Sequence, residues 1–458
     1  MKKIVNVVFL LWSCFGFSQV YVSNEVLQAI NAAKGKDIDW NNQIIEKKKL
    51  ELERKSVLNK YIPKVEATGL YGYLNSEGSI DIPNLNVPIL SNPLFAGDHN
   101  FSSKGQAIHA NLIAKTVLFS GGQIYNGAKA LEYKNEGTNY MMDLREDEII
   151  KDILLSYDQI QLLNGAELLI KESEVRLQKE TERVEKAISL GLAIPYDRDK
   201  IKLAQLELDS KKADILLKKE LLALKISQAT GFSEDVVFNT THSIEPIIVF
   251  DDLSATNKNE IKALESFQKA AEYNVKKEKG SLLPTLGAFG GYSYTSLFNG
   301  EFSTPISTLN TNLNAKLNRL TLQPSWMVGL AMKWEIFSGF ERTHKINEAK
   351  LSKLQIDNKL DDTREKLVLQ LKKNEMAYQN QLRQIEIAKQ REKVAQNNNN
   401  MAEKQYKAGL ITITERLAAE NDVYKESLNK IETIMKQRQA ALEMYQSAGS
   451  LRSFITIK

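Results

Sequence analysis

Residues 62–73 read IPKVEATGLYGY and residues 283–294 read LPTLGAFGGYSY, so a proline, an alternating pattern and two tyrosines recur 221 positions apart. Two further pairs recur at a spacing of 218, namely KTVLFSG at 115–121 with KWEIFSG at 333–339, and SLGL at 189–192 with KAGL at 407–410. Three landmarks in one order indicate a duplicated unit. This period is much longer than the roughly 20 to 50 residues of a solenoid repeat, so each copy must contain several elements.

The N-terminus is typical of a secretory signal peptide. Two lysines precede an apolar run that ends at Phe17, and Ser18-Gln19 follows. We therefore expect an exported protein with a signal peptide at 1–18, a first structural repeat at 19–235 and a second at 236–458, the two repeats interleaved in one body.

Charge and cysteine content exclude some classes of protein. The formal net charge is +4, which gives no electrostatic footprint for nucleic acid. Cys14 is the one cysteine and lies inside the expected signal peptide. Removal of that peptide leaves no cysteine, unless Cys14 becomes a lipid-bearing N-terminus. In either case no disulfide framework is possible.

Beyond residue 18, no stretch reaches the roughly 20 apolar residues that a membrane-spanning helix needs. A protein of this composition could enter a membrane only as a closed barrel, because hydrocarbon does not satisfy free backbone polar groups.

Two long windows without proline predict long helices. Gln123–Leu190 and Glu341–Ala408 are rich in Lys, Glu, Gln, Leu and Ala. Each window of about 68 residues would form roughly 100 Å of α-helix. Helices of that length require coiled-coil packing. Heptad steps are present at Leu371, Tyr378 and Ile385, and the pattern is imperfect elsewhere.

Each long helix is predicted to end at a glycine, Gly191 or Gly409, which can adopt the left-handed conformation that closes a helix. A second helix follows each turn, so each copy holds an antiparallel helical hairpin. The predicted second helices are Tyr196–Thr230 and Thr414–Ala448, and the predicted shorter helices before the prolines are Asn24–Lys60 and Asn257–Leu282.

Strands with alternating polarity are predicted between the short and the long helix of each copy. In Ala107–Phe119 the even positions are mostly apolar and the odd positions include His109, Asn111 and Lys115. The pattern is clearer in the second copy, where one face carries Trp326, Val328, Leu330, Met332, Trp334 and Ile336. One face could meet lipid and the other water. A soluble sheet packed on helices would alternate in the same way, so that alternative stays open.

The segments Asn75–Gly105 and Leu297–Leu322 are rich in Asn, Ser, Pro and Gly. We expect them to be long extracellular loops between the strands.

Catalytic chemistry finds little support in the sequence. The four histidines are scattered, and none has a metal-ligand spacing to another histidine or to the cysteine. The glycines at 121 and 122 lack the phosphate-loop spacing and the following Lys-Ser or Lys-Thr. We expect no enzyme activity, no cofactor and no metal site.

After the signal peptide, the predicted order helix, strand, strand, long helix, glycine turn, helix occurs twice. This order resembles that of the TolC-type outer-membrane efflux proteins (outer membrane factors). The resemblance covers essentially the whole exported chain. Its most specific residues are the strand-to-helix junctions LFSGG at 118–122 and IFSGF at 336–340, together with the turns LGL at 190–192 and YKAGL at 406–410.

The resemblance implies an α+β, mostly helical fold, namely a tandem-duplicated subunit of a trimeric 12-stranded transmembrane β-barrel that continues into a long periplasmic α-helical barrel. It implies a homotrimer in the outer membrane of a Gram-negative bacterium, extending into the periplasm. Four strands cannot close a barrel alone, since the smallest common transmembrane barrels have eight. Tyr and Trp in the alternating strands suit the aromatic girdles of such a barrel, so we assign a lipid-facing aromatic belt to Tyr71, Tyr73, Tyr292, Tyr294, Trp326 and Trp334.

The same resemblance implies that a periplasmic adaptor (membrane fusion) protein contacts the hairpin tips. By position these are Leu190, Gly191, Leu192, Ala408, Gly409 and Leu410. Glycine at a helix turn also has a purely geometric role. Both roles can apply to one residue.

An acidic ring at the closed periplasmic aperture is implied as well, and Glu415 occupies its place. A salt link across the tips is also implied, and Asp197 matches its acid. Ala418 stands where a second acid is expected. The arginine expected near Ile411 is missing, with Arg416 or Arg198 as possible substitutes. An alternative is that Asp197 and Glu415 are ordinary acids at helix N-termini.

We therefore predict a passive exit duct of a tripartite efflux pump or a type I secretion system. An inner-membrane pump or ATP-driven exporter would supply the energy. The rival prediction is a periplasmic or lipid-anchored coiled-coil scaffold without a channel. The cargo and the choice between efflux and secretion are not encoded in any motif.

Overall fold

A computed structural model describes residues 20–85, 95–240, 242–249, 258–306, 311–449 and 451–457. The expected signal peptide at 1–18, including Cys14, lies outside the described residues. The elements in chain order are β1 (Val20–Val22), α1 (Asn24–Lys36), α2 (Ile38–Leu58), β2 (Lys64–Leu85), β3 (Phe95–Phe119), α3 (Gln123–Ser189), α4 (Pro195–Thr230), α5 (Glu234–Asn239), α6 (Asn259–Gly280), β4 (Thr285–Ile306), β5 (Thr311–Lys333), α7 (Glu341–Lys407), α8 (Ile413–Ala448) and β6 (Ile455–Ile457).

The duplication is visible in the lengths of the elements. Helices α3 and α7 each have 67 residues, and α4 and α8 each have 36 residues. The two predicted helical hairpins are confirmed, with ends within one residue of the predicted bounds. The boundary between the repeats at 235 and 236 stays a prediction.

The predicted helix Asn24–Lys60 was wrong in one respect, because the chain breaks at Asp37 into α1 and α2. The Asp37 carboxylate accepts a hydrogen bond from the Trp40 backbone N–H at 2.7 Å, which caps the start of α2. It also forms an ion pair with Arg145, with Oδ2 to Nη2 at 2.6 Å. The capping acid and its distant partner therefore interrupt a helix that looks continuous by composition.

The predicted long loops Asn75–Gly105 and Leu297–Leu322 were also wrong, because most of those residues continue the strands. The β2–β3 pairing runs from Lys64↔Lys115 to Ile82↔Gly97 and beyond, and the β4–β5 pairing extends to Ile306↔Thr311. Two long hairpins place these polar residues in backbone ladders, which satisfy the backbone irrespective of side-chain polarity. The connections between the strands fall in 86–94 and 307–310, outside the described residues.

The chain divides into two compact units, and both units draw segments from each repeat. The first unit consists of Met1–Leu50, Tyr133–Gln268 and Leu354–Lys458. The second consists of Glu51–Glu132 and Lys269–Lys353.

The core of the first unit follows heptad steps. Buried residues seven apart are Leu163, Ile170, Leu177 and Val184 on α3, and Ile201, Leu208, Ile215 and Leu222 on α4. On α7 the predicted heptad residues Tyr378 and Ile385 are buried. A step of seven keeps one face of a long helix against its partner, as in a coiled coil.

Asn374 interrupts the apolar pattern of α7 and is itself buried. Its Nδ2 donates to the Glu443 carbonyl oxygen at 3.0 Å and also contacts Ser447 Oγ on α8. A satisfied polar group at a helix seam disfavours other alignments, because any slip would leave it unpaired. Asn374 therefore fixes the alignment of α7 against α8.

A parallel two-stranded ribbon also belongs to the first unit. Strand β1 pairs with β6, with Val20 opposite Ile455 and Val22 opposite Ile457. Val22 is buried in the helical core. Neither this ribbon nor the short helix α5 was predicted from the sequence.

The second unit contains a four-stranded antiparallel sheet in the order β2-β3-β4-β5. Within the described part of the chain, β2 and β5 each pair along one edge only. At the end of β3 the chain turns sharply into α3 through Gly121 and Gly122, with φ of 62° and 79°. At the end of β5 the corresponding turn uses Gly339 with φ of 60° and Phe340 with φ of 67°.

Candidate functional site

The two hairpin tips have the same backbone geometry. Gly191 has φ of 72° and Gly409 has φ of 71°. In the first tip, the Leu192 N–H donates to the Ala187 carbonyl at 2.8 Å and the Gly191 N–H donates to the Ile188 carbonyl at 2.9 Å. Leu410 and Gly409 donate in the same pattern to Gln405 and Tyr406. Both turns are Schellman motifs, which require the left-handed conformation at the glycine.

Apolar side chains at these tips are open to solvent. Leu192 is 79 % exposed, Leu410 is 74 % exposed and Leu190 is 65 % exposed. Hydrocarbon exposed at a turn without a packing partner costs free energy in water and favours a protein contact. The structure thus provides two apolar tips, one from each copy. That an adaptor contacts these tips remains a prediction.

The predicted aperture residues are both third residues of their helices. The Glu415 Oε2 atom accepts from the Thr412 backbone N–H at 2.8 Å, and the Glu415 N–H donates to Thr412 Oγ1 at 3.3 Å, which is a capping box. The hydrogen bond from the Thr412 backbone lowers the pKa of Glu415 below its usual 4.5. The Ile194 N–H donates to Asp197 Oδ2 at 3.4 Å. This geometry supports the alternative that both are helix N-terminal acids.

The two arginines considered as substitutes for a salt link make other contacts. Arg198 pairs with the adjacent Asp199, with Nη2 to Oδ1 at 3.0 Å. Arg416 is buried and its Nη1 donates to Asn399 Oδ1 at 2.6 Å. Among the described residues, neither arginine bonds to Asp197 or Glu415.

A buried charged cluster lies behind the second tip and was not predicted. Glu420 is buried and accepts from Arg176 Nε at 2.5 Å and from Ser173 Oγ at 3.3 Å. Arg416 reaches the other Glu420 oxygen at 3.5 Å. The sequence carried one indication, since Arg416 and Glu420 are four residues apart with opposite charges on a helix. Nothing in the sequence indicated the partner Arg176, which is 244 positions away from Glu420.

A second buried network anchors the segment 242–249 to helices α3 and α8. Asp158 on α3 accepts from Arg438 Nε on α8 at 2.8 Å, and His242 Nε2 lies 2.6 Å from its other oxygen. Arg438 Nη1 donates to the Glu245 carbonyl at 2.8 Å. Burial raises the pKa of Asp158, but the bonds from His242 and Arg438 outweigh it and hold this pKa below its usual 3.8. The ionised carboxylate therefore anchors this segment.

The same segment is held by two further side chains. The Ile247 N–H donates to Gln437 Oε1 at 3.0 Å, and the Ile247 carbonyl accepts from Gln437 Nε2 at 2.6 Å. Tyr378 Oη accepts from the Val249 N–H at 2.9 Å. Residues 242–249 are thus fixed against helices of both repeats within the first unit.

In the second unit, the strand registers bring the predicted apolar positions onto one face of the sheet. Tyr71 is opposite Ile108, Leu112 is opposite Tyr292, and Tyr292 is opposite Trp326. The opposite face is polar. It carries the His109–Thr295 hydrogen bond at 2.9 Å, the Ser293–Ser325 hydrogen bond at 2.8 Å and the Lys115–Glu66 ion pair at 3.6 Å.

The six predicted belt residues are not equivalent in the structure. Tyr71 and Tyr73 are each 70 % exposed and Trp326 is 76 % exposed. Tyr292 is also exposed, whereas the Tyr294 hydroxyl accepts a hydrogen bond from Arg319 Nη2 at 2.5 Å. Trp334 follows the end of β5. Four of the six therefore present open ring surface on the apolar face, and contact with lipid remains a prediction.

Within the described ranges, no helix is long and apolar enough to cross a membrane. The same residues contain no group of three or more His, Cys, Asp or Glu side chains placed to bind a metal ion.

The family comparison concerns the second copy. Residues 252–450 match the family model described as outer membrane efflux protein. The match lies within the second copy and does not reach the first. No curated protein sequence matches the chain.

Solved structures share the fold over nearly the whole chain. CusC, from a study of folding and transmembrane channel formation, is 15 % identical and gives a TM-score of 0.74 over 96 % of both chains. The Campylobacter jejuni CmeC outer membrane channel is 13 % identical, with a TM-score of 0.71 over 93 % of this chain and 86 % of that one. The Vibrio cholerae outer membrane protein VceC is 13 % identical, with a TM-score of 0.68 over 93 % of this chain and 96 % of that one.

These matches confirm the predicted resemblance to TolC-type outer-membrane efflux proteins and the predicted fold class. The structural likeness extends to the first copy, which the family model does not cover. The predicted roles of individual tip, aperture and belt residues stay predictions.

Proposed function

We propose that this protein is the outer-membrane exit duct of a tripartite efflux pump and acts as a homotrimer. The observation that carries the proposal is the four-stranded sheet with one apolar face and two edges, on β2 and β5, that no other described strand covers. Free edges with exposed apolar side chains favour pairing with further strands. Three copies would supply 12 strands, enough to close a transmembrane barrel.

Strand length supports this arrangement. The four strands have 22 to 25 residues. A transmembrane strand needs about 9 to 11 residues. The hairpins are therefore long enough to cross a bilayer and to continue beyond it. Efflux is favoured over protein secretion by the family description, which refers to efflux.

The helical hairpins of the first unit would form the periplasmic part of the duct. The apolar tips, one per copy, would give a trimer six docking points for a periplasmic adaptor. An inner-membrane pump would supply the energy. The adaptor can open the duct only if it binds the open tips more tightly than the closed ones, since a ligand shifts an equilibrium by its difference in affinity.

This proposal retains Glu415 and Asp197 as residues of the periplasmic aperture. Capping occupies one oxygen of Glu415, and Oε1 is not used in the capping box. An exposed carboxylate at the start of α8 can cap its helix and still contribute negative charge to an aperture formed by three copies.

The test is fractionation of the native host or of cells that express the full chain. We expect the protein in outer membranes, as a trimer that resists SDS without heating and migrates as a monomer after heating. Deletion of the gene should increase sensitivity to toxic compounds, and the wild-type gene should restore resistance. A monomer in the soluble periplasmic fraction would instead support the coiled-coil scaffold.

A further inference from the structure

An arginine lies on the apolar face of the sheet, at the level where that face stops being apolar. The strand registers place Tyr73, Gln106, Phe298 and Arg319 in one row across β2, β3, β4 and β5. Phe298 comes six residues after Tyr292 on β4, and an even step along a strand keeps a residue on the same face. The exposed Arg319 therefore shares its face with the predicted aromatic belt.

The position of this row along the strands matches the thickness of a membrane. From Leu286 to Phe298, β4 advances 12 positions, which is roughly 40 Å of strand. At a tilt of about 45° this strand rises roughly 28 Å, close to the apolar band of about 25 Å on a transmembrane barrel. The residues that the registers place on this face between those two rows are uncharged. In such a barrel, Arg319 lies where the lipid headgroups begin.

Neutral groups hold the Arg319 side chain. Its Nη2 atom donates to the Tyr294 hydroxyl at 2.5 Å, and its Nε atom donates to Ser296 Oγ at 3.3 Å. The guanidinium carbon lies 5.4 Å from the centre of the Phe298 ring. Ser296 is completely buried in this cluster. These contacts orient the guanidinium group and leave its charge unbalanced.

Among the described residues, no carboxylate pairs with Arg319 and its Nη1 atom donates no hydrogen bond. The first acid after Phe298 on β4 is Glu301, which forms an ion pair with Lys316 at 3.5 Å. A guanidinium group binds phosphate through parallel N–H bonds. An oriented arginine without an acid partner is therefore suited to an anionic ligand of this kind.

We propose that Arg319 binds the phosphate group of an anionic lipid in the outer leaflet of the outer membrane. This inference rests on the proposed barrel, because the long helices at the other ends of the strands place the Arg319 row on the outer side. An arginine on the lipid face is costly at the midplane of the bilayer and tolerated near the boundary. Each subunit supplies one such site.

The surroundings of Arg319 favour a lipid over a free phosphate ion. Tyr71, Tyr73 and Trp326 lie on the same face and are each at least 70 % exposed. Their rings offer apolar surface to acyl chains beside the arginine. A lipid therefore gains from burial of hydrocarbon as well as from the phosphate contact, whereas an ion gains only the contact.

Native mass spectrometry of the purified trimer in a neutral detergent tests the site, with diphosphoryl lipid A as the probe. We expect Arg319→Gln to bind lipid A about ten- to hundredfold more weakly than the wild type, the range for loss of a hydrogen bond to a charged group. The matched control is Lys316→Gln on the same strand. The Lys316 side chain is 84 % exposed and already paired, so this variant should bind lipid A as the wild type does. Equal weakening by both variants would overturn the site.

Two further variants separate the charge of Arg319 from its orientation. Arg319→Lys keeps the charge but lacks the parallel donors, and Tyr294→Phe keeps the arginine but removes one group that orients it. Both should weaken lipid A binding, and by less than Arg319→Gln. Migration in SDS with and without heating checks that each variant forms trimers. Unchanged binding in Arg319→Gln, or in Arg319→Lys where the glutamine variant does not assemble, would overturn the proposal.

Two controls distinguish the source of the phosphate. Dephosphorylated lipid A should bind the wild type no better than it binds Arg319→Gln. Inorganic phosphate in excess should not displace diphosphoryl lipid A, and displacement would overturn the assignment to a lipid. Assembled trimers whose lipid binding is independent of Arg319 would refute this inference and leave the proposed duct intact. A wild-type chain that forms no trimers would instead refute the proposed function.

Discussion

Trp334 donates a hydrogen bond from its indole Nε1 to the Leu282 carbonyl oxygen at 3.2 Å. In the first copy Thr116 Oγ1 donates to the Tyr61 carbonyl at 2.6 Å. Trp334 lies 218 positions after Thr116, Leu282 lies 221 positions after Tyr61, and each acceptor stands two residues before a proline. Two different side chains therefore make equivalent hydrogen bonds. Each bond joins the end of one strand to the residues that precede its partner strand. The duplicated unit preserves the contact without preserving the residue.

Valine in place of the tip glycines should abolish efflux while trimers persist. Both Gly191 and Gly409 have φ near 70°, where a β-branched residue costs roughly 1 to 2 kcal/mol and displaces the turn. We expect the double variant Gly191→Val, Gly409→Val to show the drug sensitivity of the deletion strain, measured beside trimer content in outer membranes. The double Asn variant is the control, because Asn adopts this conformation more readily and should retain most of the resistance. Normal resistance in the valine variant would contradict the tip assignment.

Glu415→Gln should alter the ion selectivity of the duct without loosening its helix. Glutamine also serves in a capping box, so the start of α8 stays capped. Removal of one negative charge per subunit should reduce the preference for cations in planar-bilayer conductance measurements. Melting of the helical signal should be unchanged. An unaltered selectivity would leave Glu415 with its capping role alone.

Asp158→Asn should destabilise the helical unit strongly. The substitution leaves the Arg438 guanidinium buried without its carboxylate, and loss of one partner of a buried pair costs about 3 to 5 kcal/mol. The matched control on the same helix is Asp152→Asn. Asp152 pairs with Lys225 and is 57 % exposed, so its loss should cost no more than about 1 kcal/mol. Denaturant unfolding followed by circular dichroism would measure the difference.

The same pair predicts a dependence on pH. The pKa of Asp158 is lower in the folded protein than its ordinary 3.8. A lowered pKa contributes stability above the unfolded value and loses it as the pH falls through the folded value. The stability difference between wild type and Asp158→Asn should therefore shrink as the pH falls below about 4. A difference that does not shrink in acid would contradict the role of the charge.

Gly280→Ala and Gly127→Ala should have opposite effects on stability. A Cβ atom on Gly280 would lie 2.4 Å from the Gly121 carbonyl oxygen, which is backbone and cannot move aside. A Cβ atom on Gly127 would meet side chains at an ordinary 3.6 Å, and alanine in a helix interior is favoured over glycine by about 0.5 to 1 kcal/mol. The melting temperature should fall for Gly280→Ala and rise slightly for Gly127→Ala. A tolerated Gly280→Ala would contradict the close packing of this junction.

Adjacent positions on β3 separate the two faces of the sheet. Leu112 lies on the apolar face and Asn111 on the polar face. Lysine on the lipid face of a transmembrane barrel costs up to about 2 to 4 kcal/mol, and lysine on the inner face costs little. We expect Leu112→Lys to reduce the trimer in outer membranes and Asn111→Lys to leave it near the wild-type level. A reversed order would exchange the two faces.

The helices could be predicted closely from the sequence, whereas the strands could be predicted in position but not in length. Windows free of proline that end at Gly191 and Gly409 define the hairpins to within a residue, because those features act locally. The full length of the strands was missed because polar residues such as Asn75 and Ser76 resemble a loop until β3 pairs with them. The break at Asp37 depends on Arg145, which is 108 positions away.

The buried charges illustrate the same limit. Asp158 meets His242 and Arg438 across 84 and 280 positions, and Glu420 meets Arg176 across 244. In a sequence rich in Lys and Glu, nothing distinguishes these residues from the charges on a solvated helix face. Their burial follows from tertiary packing, which no local pattern encodes.

The ribbon of β1 and β6 sets an order on biogenesis. Val20 pairs with Ile455, a residue that leaves the ribosome 435 positions later. On the proposed export route, β1 stays without its strand partner until nearly the whole polypeptide has crossed the inner membrane. A stalled or truncated translocation product that lacks β6 cannot complete this ribbon, so quality-control proteases would find an unpaired strand beside the helical core.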